Sequence, residues 1–87
     1  MYYLRKEPYD GHEDRTVYKH HDFQRFYRGP FNGLKAKYQG MKIYTCKTMK
    51  RILELREAMH DYCGEWFDVY DENGKVDIEE AKAHGMA

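Results

Sequence analysis

The sequence predicts an α+β fold, in which a small, mainly antiparallel sheet packs on one main amphipathic helix. Three observations support this prediction. Short β-favouring segments alternate with turn residues towards both ends of the chain. The stretch 47–63 carries apolar side chains at helical spacing. With 87 residues, the chain suits one domain with a single core, covering residues 1–87.

The first elements are predicted to be extended. YYLRKE at 2–7 is rich in β-favouring residues and ends at the turn-forming PYDG at 8–11. TVYK at 16–19 has the composition of a second short strand. Because these segments are short, they need further strands beside them to form a stable sheet.

The middle of the chain changes its periodicity twice. A helix of one or two turns is expected near 22–28, because Asp22 can cap its start and Gly29-Pro30 would end it. Residues 34–46 then alternate apolar and polar side chains, and the alternation changes parity at Gln39-Gly40. Two strands joined by a tight turn would explain the change, and so would one strand with a bulge.

The main helix is predicted between residues 47 and 63. At 100° per residue, its apolar arc contains Met49, Ile52, Leu53, Leu55, Met59, Tyr62 and Cys63. Thr45 or Thr48 can cap its start, and Gly64 stands where a helix ends. Arg56 projects close to the middle of this arc. An arginine there either extends past its neighbours to solvent, forms a structural ion pair, or meets an acid or a ligand.

The segment 68–80, DVYDENGKVDIEE, has features of both a β-hairpin and a calcium loop. Asn73-Gly74 is typical of a type I′ turn. In an EF-hand alignment, the ligand positions hold Asp71, Asn73, Asp77 and Glu80. Val69, however, occupies the first ligand position and has no side-chain oxygen. The sequence therefore predicts a hairpin, followed by a short helix near 78–85 with Asp77 as N-cap. A degenerate EF-hand-like or purely structural module is the weaker alternative.

No residue pattern predicts catalysis or metal binding. His60 and Cys63 share a helix face, but a thiol within an apolar arc is unreactive. With Cys46 they still lack a recognisable zinc spacing. Phosphate-binding glycine loops and the common hydrolase motifs are absent from the sequence. We therefore expect no enzyme, no catalytic residues, no cofactor and no metal.

The formal net charge of zero conceals two opposed halves. Residues 1–51 hold twelve Lys/Arg and five Asp/Glu, whereas residues 52–87 hold three and ten, which gives +7 and −7. Basic and aromatic residues interleave over 15–51, as in proteins that contact phosphates and stack on unpaired bases. A protein-binding module is the other hypothesis, because Tyr and Arg are favoured interface anchors and the acidic segment 54–80 suits a basic groove.

The candidate contact residues combine the densest basic and aromatic stretch with the arginine of the main helix. They are Arg25, Tyr27, Arg28, Phe31, Lys35, Lys37 and Arg56. The chain has no apolar run approaching the ~18 residues of a membrane span and no signal-peptide core. Its two cysteines are too few for a disulfide framework. We therefore expect a cytoplasmic protein without a membrane partner.

As a whole, the chain resembles small phage and prophage accessory proteins of the anti-CRISPR and anti-defence inhibitor type. The resemblance rests on the opening MYYLRKEP, the single amphipathic helix KTMKRILELREAMHDYCG and the hairpin YDENGKV. It implies a non-enzymatic inhibitor that binds a host nucleic-acid-processing complex, with a host protein or nucleoprotein as partner and direct nucleic-acid contact as an option. It assigns no role to an individual residue.

Overall fold

The computed structural model describes residues 1–19 and 42–85 together with the backbone of 26–30. Within these residues the fold is α+β, as predicted, and consists of one antiparallel sheet, one main helix and one short helix. The strands are β1 (Tyr2–Lys6), β2 (Arg15–Lys19), β3 (Phe26–Pro30), β4 (Lys42–Ile43), β5 (Thr45–Cys46), β6 (Asp68–Asp71) and β7 (Gly74–Lys75), and the helices are α1 (Met49–Cys63) and α2 (Ile78–Ala83). Neither described helix is long and apolar enough to cross a membrane.

The sheet is built around β1, which pairs with β2 on the N-terminal side of α1 and with β6 on its C-terminal side. Its strand order is β3-β2-β1-β6-β7, while β4 pairs with β2 and β5 pairs with β1. Leu4 in β1 lies opposite Val69 in β6, and Arg5 lies opposite Thr16 in β2. Because neighbouring residues of a strand point to opposite faces, this register places Leu4 and Arg5 on different sides of the sheet.

One face of the sheet packs on α1 and forms the core. The core contains Leu4, Val17, Cys46, Met49, Ile52, Leu55, Met59, Phe67, Val69 and Ala81. Burying a large apolar side chain contributes about 1.5–3 kcal/mol, so this layer holds the helix on the sheet. The predicted apolar arc is confirmed at Met49, Ile52, Leu55 and Met59, which are buried. Tyr62 is the exception: it lies in the last helical turn and is 76% exposed.

The opposite face of the sheet carries polar and aromatic contacts. The Arg5 guanidinium donates to both carboxylate oxygens of Asp14, at 2.7–3.2 Å. The Tyr70 ring stacks on Tyr3, with 5.7 Å between the ring centroids, and its hydroxyl donates to Glu7 at 2.6 Å. Burial and the hydrogen bond to Glu7 raise the pKa of Tyr70 to about 12.

Local signals fix both ends of α1. The Thr48 hydroxyl accepts a hydrogen bond from the Arg51 backbone N–H at 3.2 Å, so Thr48 is the N-cap. The helix ends at Gly64, which has φ +76° and donates its N–H to the His60 carbonyl at 2.7 Å. Glycine is favoured here because this left-handed conformation strains other residues. The predicted cap and stop are thus both present.

The short helix predicted near 22–28 is wrong over its described part. Residues 26–30 form β3, and all five pair with β2 from Arg15↔Pro30 to Lys19↔Phe26. Pairing with β2, the preceding strand, outweighs the helical spacing of Phe23, Phe26 and Tyr27 in the sequence. The start of the predicted helix and the choice between a turn and a bulge at Gln39-Gly40 fall outside the described residues.

The predicted hairpin at 68–77 is confirmed, but its turn differs from the expected type. Asp71 pairs with Gly74, so the turn is centred on Glu72 and Asn73 rather than on Asn73-Gly74. Of the turn residues Glu72, Asn73 and Gly74, only Gly74 takes a positive φ, +117°. The Asp71 carboxylate accepts the Asn73 N–H at 2.8 Å. This side-chain bond stabilises a turn that keeps Asn73 at negative φ.

The second helix follows the hairpin directly. Asp77 is its N-cap, and its carboxylate accepts the Glu80 N–H at 3.1 Å, as predicted. Helix α2 ends at Ala83, and Gly85 follows with φ +71°. The segment is therefore a strand–turn–strand with a short helix after it, and not the helix–loop–helix of an EF-hand.

Candidate functional site

Most of the predicted contact residues lie where side chains are not described. Arg25, Phe31, Lys35 and Lys37 fall outside the described residues. Tyr27 and Arg28 have a described backbone only: they lie in β3, opposite Tyr18 and Val17 in register. Whether these six residues form one surface therefore remains a prediction. Arg56 is the one predicted contact residue whose side chain can be placed.

Arg56 lies on the flank of α1 and is partly buried. Its Nε donates to the Phe67 carbonyl at 2.7 Å, and its guanidinium carbon lies 4.6 Å from the centroid of the Trp66 ring. Within the described residues it forms no ion pair. The structural ion pair, one of the alternatives for Arg56, is thus not found there. The side chain is instead fixed by a backbone carbonyl and an aromatic ring, an arrangement that the sequence did not suggest.

Trp66, the only tryptophan of the chain, is 46% exposed and yet held in place. Its ring stacks on His60, with 3.8 Å between the centroids and an angle of 8° between the planes. His60 and Arg56 are four residues apart on α1, so both reach the same flank of the helix. Lys6 donates to the Trp66 carbonyl at 3.2 Å. The ring is therefore held between His60 and Arg56.

A polar network continues this surface towards the first strands. The Glu65 carboxylate accepts hydrogen bonds from the Tyr9 hydroxyl and from Arg15, the latter at 2.7 Å. The hydrogen bond to Glu65 raises the pKa of Tyr9 and that of Arg15. The Lys6 ammonium lies 4.5 Å from the centroid of the Tyr9 ring. These contacts tie the turn after β1 to the segment that carries Trp66.

We call Lys6, Tyr9, Arg56, His60 and Trp66 together the Trp66 surface. Its members come from the end of β1, the following turn, one flank of α1 and the segment after α1. The surface combines three aromatic rings with two cationic side chains. Such a surface can stack on flat groups and donate hydrogen bonds to acceptors.

Two open grooves meet at Arg56. The larger has a volume of about 500 Å³ and lies between α1, the hairpin and α2, with Val76 and Ile78 among its lining residues. The smaller has a volume of about 320 Å³ and runs along α1 beside Trp66 and Leu53. Arg56 and Lys82 line both grooves. The predicted residue Arg56 therefore lies between the two grooves and lines both of them.

The charges along these grooves are mixed. Besides Arg56, the cations are Lys50, Lys75 and Lys82, and the acids are Glu54, Glu57, Asp68, Asp77 and Glu79. Some of them pair internally: Lys75 lies 3.5 Å from Asp68, and the Glu54 carboxylate bonds Arg51 at 2.8 Å. The grooves thus present charges of both signs between apolar patches, and they have no strong net potential of one sign.

The groups considered for catalysis and metal binding are engaged in other contacts. The Cys63 thiol donates to the Met59 carbonyl at 3.0 Å, while the His60 ring stacks on Trp66. Asp71 and Asp77, two of the calcium-position residues, stabilise the turn and cap α2. Among the residues that the structure describes, no three His, Cys, Asp or Glu side chains are grouped as metal ligands.

Trp66 is the residue that sequence reasoning missed. Its exposure depends on contacts with His60 and Lys6, and Lys6 lies sixty residues earlier in the chain. One signal was available: the tryptophan lies two residues after the helix stop at Gly64, where the chain leaves the core-facing arc. Comparisons of the chain with protein-family models, curated proteins and solved structures found no match.

Proposed function

We propose that the protein is a non-enzymatic binding protein that contacts a protein partner through the Trp66 surface. The observation that carries this proposal is the exposed Trp66 ring, which is stacked on His60 and lies against Arg56. Trp, Tyr and Arg are the residue types that most often dominate interface energies. A ring that is already oriented loses little conformational entropy on binding, so more of the contact energy contributes to affinity.

The charges favour a protein over a nucleic acid at this surface. A nucleic-acid backbone presents negative charge at every phosphate and needs a continuous cationic track. Both grooves that Arg56 lines place acids among their cations, including Glu57 in one and Glu79 in the other. A protein surface offers apolar groups and charges of both signs, and this is the pattern that the grooves complement.

The resemblance to phage-encoded inhibitors makes the proposal more specific. We propose an anti-CRISPR-type or anti-defence role in the cytoplasm, in which binding to a host nucleic-acid-processing complex inhibits it without chemistry. Two features support this: a small domain with a fixed aromatic anchor, and opposed charges along the chain that suit partners rich in basic channels.

The test is capture of a partner from a nuclease-treated bacterial lysate with three tagged proteins. They are the wild type, Trp66→Ala and the matched control Tyr62→Ala, which removes an aromatic side chain that is more exposed than Trp66. We expect a protein that the wild type and Tyr62→Ala retain and that Trp66→Ala loses. Loss of an interface anchor costs about 2 kcal/mol or more, roughly a thirtyfold lower affinity.

Two outcomes would contradict the proposal. If Trp66→Ala is folded and captures the same protein with the same affinity as the wild type, the Trp66 surface is not the contact. If nuclease treatment removes every captured protein, the primary ligand is a nucleic acid.

A nucleic-acid-binding function through the basic segment 15–51 is the second candidate. One observation favours it: Lys42, Lys47, Lys50 and Arg51 are all exposed. The test is fluorescence anisotropy with labelled single-stranded RNA, single-stranded DNA and duplex DNA at several salt concentrations. Binding that weakens steeply with salt, and that is lost in the double variant Arg25→Glu/Arg28→Glu, would support this function. No binding at low salt would exclude it.

A further inference from the structure

The guanidinium of Arg56 uses only part of its hydrogen-bonding capacity. Nε donates to the Phe67 carbonyl at 2.7 Å. Within the described residues, neither terminal nitrogen, Nη1 or Nη2, has a hydrogen-bond or ion-pair partner. Arginine carries five N–H donors in one plane, so four remain available at the terminal nitrogens. Arg56 and Lys82 line both grooves, so these donors belong to a residue that the two grooves share.

The side chain is also held in one orientation. The bond to Phe67 fixes the Nε edge, and the Trp66 ring lies 4.6 Å from the guanidinium carbon. A planar fork that is fixed in this way matches the two oxygens of a carboxylate, because both N–H···O bonds can form without further ordering. A lysine ammonium could not give this two-point contact.

The neighbouring charges select for a ligand with a single negative charge. Lys82 lines both grooves and has no ion pair in the described part of the chain, so a second cation stands near the junction. The acids of the grooves, Glu54 and Glu57 in one and Asp68, Asp77 and Glu79 in the other, would repel a densely charged anion such as a phosphate chain more strongly than a single carboxylate. Leu53 and Trp66 supply an apolar wall beside Arg56.

We infer that the groove junction binds a carboxylate side chain of the protein partner, an Asp or Glu that lies next to an apolar residue. The Arg56 terminal nitrogens take the carboxylate in a two-point contact, and Lys82 adds a second attractive charge. The apolar neighbour packs between Leu53 and Trp66. This inference rests on the proposed function, since it names the chemistry by which that surface recognises its partner.

The inference is tested directly by NMR titration of the isotope-labelled protein with a small probe. The probe is N-acetyl-Glu-Leu-amide, and its matched control is N-acetyl-Gln-Leu-amide, which has the same size and no charge. We expect saturable shifts of the Arg56 Nε–H and Trp66 indole N–H signals with the Glu probe, and shifts at least about tenfold weaker at equal concentration with the Gln probe, as for a charged hydrogen bond.

Three variants make the test specific. Arg56→Lys keeps the charge but removes the fork, and we expect it to bind the Glu probe about tenfold or more weakly. Lys82→Gln lies on an exposed position of α2, leaves the bond between Arg56 and Phe67 intact, and should weaken binding about two- to fivefold. Arg51→Gln removes an exposed arginine of the same helix and should leave binding unchanged.

Several results would overturn the inference. Equal shifts with the Gln probe would mean that the carboxylate is not recognised. Equal shifts with inorganic phosphate at the same ionic strength would mean a general anion effect. The proposed function fails separately, because it requires loss of partner capture in Trp66→Ala. If Trp66→Ala loses the partner while the Glu probe causes no shifts, the binding surface stands and the carboxylate site does not.

Discussion

Replacing Arg56 with methionine measures how the helix arginine contributes to stability. The change removes the Nε bond to the Phe67 carbonyl at 2.7 Å and the contact with the Trp66 ring at 4.6 Å. A hydrogen bond to a charged group contributes about 1.5–3 kcal/mol, and an exposed cation–π contact about 0.5–1 kcal/mol. Methionine regains part of this by packing on Trp66 and Leu53, so we expect a net loss of about 1–2 kcal/mol.

The assay is urea unfolding followed by the fluorescence of Trp66. Such a loss lowers the urea midpoint without changing the dependence of the unfolding free energy on urea concentration. In a thermal unfolding experiment on a domain of this size, it lowers the midpoint by roughly 4–16 °C. Arg51→Met is the control, because Arg51 is exposed and forms only an i,i+3 pair with Glu54. It should leave the urea midpoint unchanged. A variant Arg56→Met that is as stable as the wild type, or more stable, would refute the structural role assigned to this contact.

Three further predictions address the fold. Met59→Ala leaves a cavity between α1 and the sheet, so chemical denaturation should show a loss of about 2–5 kcal/mol, whereas a loss below 1 kcal/mol contradicts the core placement. Asp77→Ala removes the cap of α2 and should cost about 0.5–2 kcal/mol, unlike Asp77→Asn, which can still cap. The pKa of Tyr70 is raised to about 12 in the folded state, so the folded protein holds this proton more tightly than the unfolded chain. The stability that the protonated Tyr70 hydroxyl contributes is therefore present below pH 10 and lost between pH 10 and about 12. The wild type should lose stability more steeply over this range than Tyr70→Phe.

The elements that could be predicted from the sequence are those that local signals define. Thr48 and Gly64 bound the main helix because a cap hydroxyl and a left-handed glycine act within one turn of their own position. Asp77 marks the start of α2 for the same reason. The antiparallel character of the sheet followed from short strands separated by turn residues, and the structure confirms it.

The errors occurred where pairing with another strand or a side-chain hydrogen bond decides the local structure. Phe23, Phe26 and Tyr27 have helical spacing in the sequence, yet residues 26–30 lie in β3 because all five pair with β2. In the hairpin, the Asp71 side chain shifts the turn by one residue relative to the Asn-Gly pattern. Neither the partner strand nor the side-chain bond can be read from the pattern of the segment itself.

The candidate site was predictable only at Arg56. A charge in the middle of an apolar arc is a local anomaly, so it was visible in the sequence. Trp66 was not, because its orientation comes from His60, Arg56 and Lys6, which converge only in the folded chain. The basic stretch at 25–37, where most of the predicted contacts lie, has no described side chains against which to compare it.

The most direct test of the central claim uses the fluorescence of Trp66, because this is the only tryptophan in the chain. Acrylamide quenching of the Trp66 emission would be measured for the protein alone and for its complex with a captured partner. The partner must either lack tryptophan or carry a label that suppresses the emission of its own tryptophans. With 46% of the side chain exposed, we expect ready quenching in isolation and strong protection in the complex. If the partner binds fully and the quenching does not change, Trp66 is not at the interface, and the proposed contact through the Trp66 surface is wrong.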